Sequence, residues 1–303
     1  MGNRARESLL GLHGRQGSGG VGGQAQYAGS MISVEARGRL GNHLFQFAFG
    51  LAASARLDTD FAIDDDLLRA GFTLEPWSER RRRALRAARY RAARRVAAFP
   101  VVKIDPSGHD EPGDVLARLR DRTHYVGFFQ SELYFADVAP AVRRAFRPLP
   151  EHQRSFVERY GQLVQRGYVC CHVRQTDYRE WSGGLALPAS YYRDCLELLS
   201  PDAEMPIVVV GDDPGWLAAE LGSDRLLIEH NDEVVDLLLL ANARQLVLSN
   251  SSFGWWGGWL NERAGRILAP RHWFGFKNGR EVPRGVVPER WEQVPVGGAP
   301  VSV

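Results

Sequence analysis

Hydrophobic and polar positions fall into two alternating rhythms from Met31 onward. Met31-Ile32-Ser33-Val34-Glu35-Ala36 reads as a strand. Leu44, Phe47, Ala48, Leu51 and Ala55 then recur at helical spacing, which predicts a helix from His43 to Leu57. Phe61-Ala62-Ile63 returns to strand. Arg37 to Asn42, with glycines at 38 and 41, is the expected turn between the first strand and the helix. Strand, glycine turn, helix and strand together open a parallel α/β domain. Tyr125 to Ser131 resumes as a strand. Pro140 and Pro150 bracket Arg143-Arg144-Ala145-Phe146 and suggest a boundary near 148–152, dividing the chain into 31–150 and 151–303.

The second half repeats the rhythm. Tyr168 to Val173 is a buried-type strand that runs directly into Arg174, Gln175, Thr176, Asp177 and Tyr178. A helix is expected from Pro188 to about Leu199, a strand over 206–210 ending in Gly211-Asp212-Asp213, and a helix from Glu233 to Ala243 carrying Asp236. The apolar run Gln245 to Leu248 is a further strand. It ends in Ser249-Asn250-Ser251-Ser252-Phe253-Gly254-Trp255-Trp256-Gly257-Gly258-Trp259-Leu260, with a helix expected over Trp259 to Arg263. In an open parallel sheet, ligands bind beyond the carboxyl ends of strands. Arg174, the Asp212-Asp213 pair and Ser249 to Ser252 would then face one crevice. This set suits a nucleoside diphosphate: guanidinium for phosphate oxygens, hydroxyls and helix N–H groups beside it, a carboxylate for ribose or base. The plainer alternatives are that the serines only cap a helix and that Trp255, Trp256 and Trp259 are core rather than a stacking surface.

Composition narrows the field. Of 303 residues, 44% are hydrophobic, enough for a large core, and the net charge of +2 provides no strong field for nucleic acid. Lysine occurs only at Lys103 and Lys277, so arginine supplies all but two of the 38 basic residues. Cys170, Cys171 and Cys195 match no zinc spacing, and their odd number argues for a reducing compartment. No run reaches the length of a membrane span. Residues 1–30, rich in Gly, Ser, Gln and Arg, lack the order of a signal peptide and are expected to be a disordered leader. The arginine-dense stretch 79–99 carries an apolar stripe at Leu85, Ala88, Ala92, Val96 and Phe99. It reads as a surface helix with a solvated basic face, the alternative being peripheral contact with an anionic acceptor or membrane. Asp64-Asp65-Asp66 invites a divalent-metal reading, but Leu67-Leu68 behind it suggests a helix start where acids favour the dipole, so no metal site is expected.

Four motifs in order carry a resemblance. Gly38 to Ala48, Gly127-Phe128-Phe129-Gln130-Ser131 with Tyr134-Phe135, His172 to Tyr178, and Ser249 to Leu260 resemble the successive motifs of the α-1,2-fucosyltransferases, glycosyltransferase family eleven. The resemblance implies a GT-B-like fold of two Rossmann-type domains facing a central cleft: an acceptor-side domain over 31–150 and a nucleotide-sugar domain over 151–303. It implies transfer of L-fucose from GDP-fucose, with inversion and without an essential metal or other cofactor, to the 2-hydroxyl of a galactose-terminated oligosaccharide or glycan. It places Arg174 on the pyrophosphate and Gly41, Asn250, Ser251, Ser252 and Phe253 at the donor. Asp236 would hold guanine or ribose, and Asn42 and His172 would line the reaction centre. Asp177 and His172 are both candidates for the acceptor's base. Gln175 stands where the family usually has a second arginine, which leaves donor affinity and identity open. The same fold could serve another sugar nucleotide or linkage, or an inactive glycan- or nucleotide-binding module. Without an anchor, the expected location is cytoplasmic, with peripheral contact at the inner membrane face through 79–99 as the alternative.

Overall fold

The computed structural model describes residues 30–75, 99–105, 110–223 and 225–297. The expected leader over 1–30, save Ser30, and the arginine-dense stretch over 79–99, save Phe99, lie outside the described residues.

In the first half, strands β1 (Met31–Val34), β2 (Asp60–Ala62), β3 (Val101–Lys103) and β4 (His124–Val126) form a parallel sheet in the order β2-β1-β4-β3. Helix α1 (Leu40–Leu57) crosses between β1 and β2, as its apolar spacing predicts. It starts three residues earlier than the sequence suggests. Gly38, at φ 86°, makes the turn by itself, so Gly41 and Asn42 are already helical. The short helix α2 (Asp66–Arg69) is the helix start read at the aspartate triplet. Asp65 pairs with Arg69, and the Asp64 carboxylate accepts the Asp66 N–H at 3.3 Å. The strand expected over 125–131 ends at Val126. Beyond it Phe129 takes φ 51° and stacks on Phe49 with centroids 3.7 Å apart.

Helix α3 (Pro112–Ala117) lies between β3 and β4, and α4 (Ala139–Ala145) and α5 (Pro150–Arg166) link the halves. Each has proline in its first two positions, where the missing N–H costs nothing. Prolines that read as loop markers are helix starts here.

The second sheet joins β5 (Val169–Val173), β6 (Ile207–Gly211), β7 (Leu226–Ile228), β8 (Gln245–Val247), β9 (Arg266–Pro270) and β10 (Glu292–Val294), all parallel, in the order β10-β9-β8-β5-β6-β7. The chain starts in the middle, moves outward through β6 and β7, then returns to β8 and proceeds the other way. This is the Rossmann order, and its reversal point lies between β5 and β8. Helices α6 (Ala189–Leu199), α7 (Pro214–Leu221), α8 (Glu233–Asn242) and α9 (Ser252–Leu260) cover the faces.

Helix α9 occupies 252–260: it opens at the serines, as their capping chemistry suggests, and stops at Leu260, short of the expected Arg263. Asn261 terminates it: its carboxamide accepts from the N–H groups of Arg263 and Ala264 and donates to the carbonyls of Leu240 and Ala243. Its glycines conceal the helical pattern. A Cβ at Gly257 would collide with Leu240 of α8.

One core runs through both halves. Trp255 and Trp256 have no exposed surface, and Trp259 has almost none, so the tryptophans are core. Phe45 of α1 lies 4.5 and 4.9 Å from the rings of Trp255 and Trp256, and Phe135 and Phe146 close on Trp256 at 5.5 and 5.1 Å. Their indole N–H groups donate to Val286 O (2.6 Å), Gly41 O (3.0 Å) and Glu132 (3.0 Å). The cysteines are free and buried. Among the described residues, no helix is long and apolar enough to cross a membrane.

Candidate active site

The sheet order fixes where the site must be. Strands β5 and β8 are hydrogen-bonded neighbours at the reversal point, and both run toward the same edge. Arg174 immediately follows β5, and Ser249 to Ser252 follow β8 into α9. A buried contact ties the two tips together: His172 Nδ1 lies 2.7 Å from Ser249 Oγ. The guanidinium and the helix start therefore leave adjacent parallel strands at the same end of the sheet.

A second helix start meets them from the first half. A Cβ at Gly41 would fall 2.5 Å from Phe253 N and 2.6 Å from the Ser252 carbonyl carbon, so only glycine lets α1 reach the beginning of α9. No side chain caps α1, whose N-cap position is Arg39. Two helix N-termini converge, and their N–H groups and dipoles favour an anion. Arg39 is exposed and adds a cation from the first half. Burial pushes the Tyr178 phenol up, and the nearby charges of Arg174 and Arg39 pull it partway back.

Arg174 is held rather than free. Its Nη2 donates to Asp177 at 2.6 Å, its Nη1 lies 3.4 Å from Asp212, and its guanidinium lies over the Tyr178 ring at 5.2 Å. The Asp177 side chain is 50% exposed, whereas that of Asp212 is 13% exposed. Asp212 also accepts from Gln175 N (2.8 Å), Thr176 N (3.1 Å) and Thr176 Oγ1 (2.6 Å). Burial alone would raise its carboxyl; the bonds from Thr176 and Gln175 and the Arg174 charge outweigh this and lower it. Asp213 caps α7 by accepting the Trp216 N–H and pairs with Arg179 at 3.1 Å. Neither acid is thus offered to a ribose or base as the sequence suggests. Asp212 is instead the brace of the cation, a role no local pattern announces because its partners lie across β5 and β6.

The remaining sequence candidates separate into three groups. Ser252 and Phe253 are half-buried at the start of α9, and Asn42 is half-buried near the start of α1, its Oδ1 accepting from Gln130 at 2.8 Å. Ser251 is the N-cap of α9, accepting the Phe253 N–H at 3.3 Å, and Gly41 gives its carbonyl to Trp256; these two shape the crevice. Two candidates are corrected. His172 is 2% exposed, and burial pushes its imidazole down to about 3, so it is a neutral packing residue beneath α9 rather than a base open to substrate. Asn250 is wholly buried and donates to Leu185 O at 2.9 Å, so it holds a loop rather than meeting a donor. Gln175 is likewise buried, its amide donating to Leu187 O at 2.8 Å.

Asp236 sits at the start of α8, 9% exposed, accepting from Asn231 Nδ2 at 2.9 Å. Burial raises its carboxyl to about 6. Beside it, Tyr160 donates to Glu229 (2.6 Å) and Asn231 (2.9 Å). Among the described residues, no group of three or more His, Cys, Asp or Glu is placed to hold a metal ion.

The model of glycosyl transferase family 11 matches residues 117–279, more than half of the chain. The chain belongs to glycosyl transferase family 11. Its matched segment spans the middle motif, the Arg174 turn and the Ser249–Leu260 segment. Across 88% of its length, the family 11 chain is 25% identical to 99% of an alpha-1,2-colitosyltransferase of Escherichia coli. It is 28% identical over 120 residues to the O-antigen biosynthesis glycosyltransferase WbnK of the same organism, covering 35% of this chain and 39% of that one. Among solved structures, it is similar to the fucosyltransferase NodZ from Bradyrhizobium, with a TM-score of 0.50 at 12% identity, over 78% of this chain and 94% of that chain. The fold is GT-B-like, α/β with parallel sheets, and the activity class is glycosyl transfer.

Proposed function

We propose that this family 11 chain is an inverting α-1,2-fucosyltransferase that moves L-fucose from GDP-fucose to the 2-hydroxyl of a galactoside. The observation that carries the reading is the pairing of Arg174 with the start of α9 at the adjacent tips of β5 and β8, where a diphosphate fits the reversal point of a Rossmann sheet.

The bond between the fucosyl anomeric carbon and the β-phosphate oxygen breaks while the acceptor oxygen attacks from the opposite face. Negative charge accumulates on the departing GDP. Arg174 and the converging N-termini of α1 and α9 are preorganised toward that charge, and each such donor can contribute ~3 kcal/mol. Arriving phosphate oxygens compete with Asp177 for the Arg174 guanidinium. Asp212, more deeply buried, keeps its hold. Release of Asp177 leaves a solvent-facing carboxylate beside the reaction centre, and it takes the acceptor's proton. Asn42 orients the acceptor from α1, and Asp236 receives the nucleoside. No metal takes part in this reading. The enzyme acts in the cytoplasm, checked by cell fractionation.

A second reading keeps the mechanism and exchanges fucose for another deoxysugar. It is favoured by the near full-length match to a colitosyltransferase. Mass spectrometry of products from a panel of GDP-sugars and galactosides separates the two. The fucosyl reading expects acceptor-dependent GDP release, a product heavier by one fucosyl residue, and undiminished turnover in excess chelator. Transfer from a different sugar nucleotide alone would overturn the donor assignment. A protein that binds GDP without acceptor-dependent release would be a binding module.

A further inference from the structure

The segment after Asp177 is built with more precision than donor binding demands. It makes one 3-10 turn, Asp177–Arg179, and then a second bend at Trp181–Gly183 in which three consecutive residues take positive φ: Ser182 at 50°, Gly183 at 77° and Gly184 at 83°. Such an excursion is held only where its surroundings fix it. Here five bonds do so. Leu185 N and Ala186 N both donate to Tyr178 O, at 2.6 and 3.1 Å. Gln175 clasps Leu187 O, Asn250 clasps Leu185 O, and Lys277 Nζ reaches Gly183 O at 2.8 Å. Leu185 and Leu187 are buried beneath.

On this rigid loop, Trp181 is left 49% exposed. Its ring leans on Tyr178, with centroids 5.3 Å apart, and meets Phe274 edge-on at 5.5 Å. The other face of the arrangement is the cation: Arg174 lies over Tyr178. A single exposed hydrophobic side chain is ordinary; what sets this indole apart is that it packs on Tyr178, the same ring that Arg174 lies over. The rim identifies the occupant. Arg179, Glu180, Ser182 and Lys277 are all exposed around it. A ligand that offers one apolar face and a polar edge fits this rim, and an apolar protein partner does not. A pyranose has that character: C–H groups on one face, hydroxyls at the edge. An aromatic ring with a polar surround is suited to such amphipathic contact.

We infer that Trp181, braced by Tyr178 and Phe274, is the platform on which the acceptor's terminal pyranose stacks, one residue pair away from the diphosphate cation. This rests on the transferase reading given above and adds the acceptor's seat to it.

The test measures transfer from GDP-fucose to lactose and to methyl β-D-galactoside by the full chain, alongside GDP binding by calorimetry. Trp181→Ala raises the acceptor KM about tenfold or more, while kcat falls less and GDP affinity stays within about twofold. Trp181→Phe keeps an aromatic face and restores most of the acceptor KM. Retained GDP binding certifies that the variants fold. An acceptor KM unchanged in Trp181→Ala overturns the platform, and so does a loss of GDP affinity equal to the loss of acceptor affinity. If the wild-type chain transfers fucose to neither galactoside, the function reading fails, and the platform is read without turnover. Saturation-transfer NMR with methyl glycosides in the presence of GDP must then give a signal that Trp181→Ala abolishes. No signal, or one that survives the substitution, overturns it.

Discussion

Asp212→Asn separates positioning from charge at the heart of the site. The amide keeps one acceptor for the Gln175 N–H at 2.8 Å. Its other atom becomes an NH2 group facing two obligate donors, Thr176 N at 3.1 Å and Arg174 Nη1 at 3.4 Å, while the Thr176 hydroxyl, at 2.6 Å, can turn to accept from it. One hydrogen bond to a charged acceptor and one ion pair are lost. At ~1.5 kcal/mol for the bond, and with Thr176 exposed, the loss of stability is about 1–2 kcal/mol. The functional cost is larger. Asp177, the remaining partner, is half-exposed and draws Arg174 outward. A displacement on the order of 1 Å in a positioning group costs about a hundredfold in rate. The pH dependence adds a signature. Asp212 is lowered in the folded state, so its contribution is present above the ordinary carboxylate value and is lost as pH falls through the lowered one. Urea unfolding should show a constant gap between wild type and variant from about pH 5 to 8, closing below about pH 4. A variant with wild-type stability and kcat/KM within about twofold would refute the role of Asp212 as a brace.

Further outcomes follow from the same geometry. Arg174→Ala lowers kcat/KM by about two orders of magnitude or more, and near-normal turnover excludes Arg174 from the diphosphate. Gly41→Ala drives a methyl into the α9 backbone, destabilises the chain by about 1–3 kcal/mol in denaturant unfolding, and weakens GDP binding; an unaffected melting midpoint contradicts the close approach. Asp236 is raised from 3.8 to about 6, so the folded state holds its proton more tightly, and wild-type stability falls as pH climbs across that window. Asp236→Asn removes a slope worth about 3 kcal/mol, so the variant equals wild type near pH 4 and exceeds it near pH 7.5, while GDP affinity drops about tenfold. Parallel stability curves would show that the Asp236 carboxylate is not paying that burial cost.

The strand tips were the legible part of this chain. Runs such as Val169 to Val173 and Gln245 to Leu248 show as short, continuous apolar segments, and the residues that follow them had to share an edge once the sheet was parallel. Helices opening on Pro112, Pro140, Pro150 and Pro214 were hidden because proline marks both a helix start and a loop. The end of helix α9 was hidden because its glycines answer to Leu240 and other neighbours on distant segments, not to local propensity. The site divided similarly. Arg174 and Ser252 were readable as chemistry placed at strand ends, whereas Asn42 stood out only through the motif resemblance. The inward rotamers of Gln175, Asn250 and His172 depend on the loop over 184–188 and on Ser249, and no spacing encodes those partners.

Helix α9 starts beside the tip of β8, at the proposed donor site, and bolts the two halves together with its tryptophans. Three indole protons are committed to fixed acceptors, and two of those acceptors, Gly41 and Glu132, belong to the other half. A bilobed enzyme usually opens and shuts by swinging one lobe on a hinge. With its latch cast into the shared core, this one has little room to swing. Substrate exchange is then expected to turn on side-chain movement, beginning at the Arg174–Asp177 pair, whose carboxylate is half-exposed.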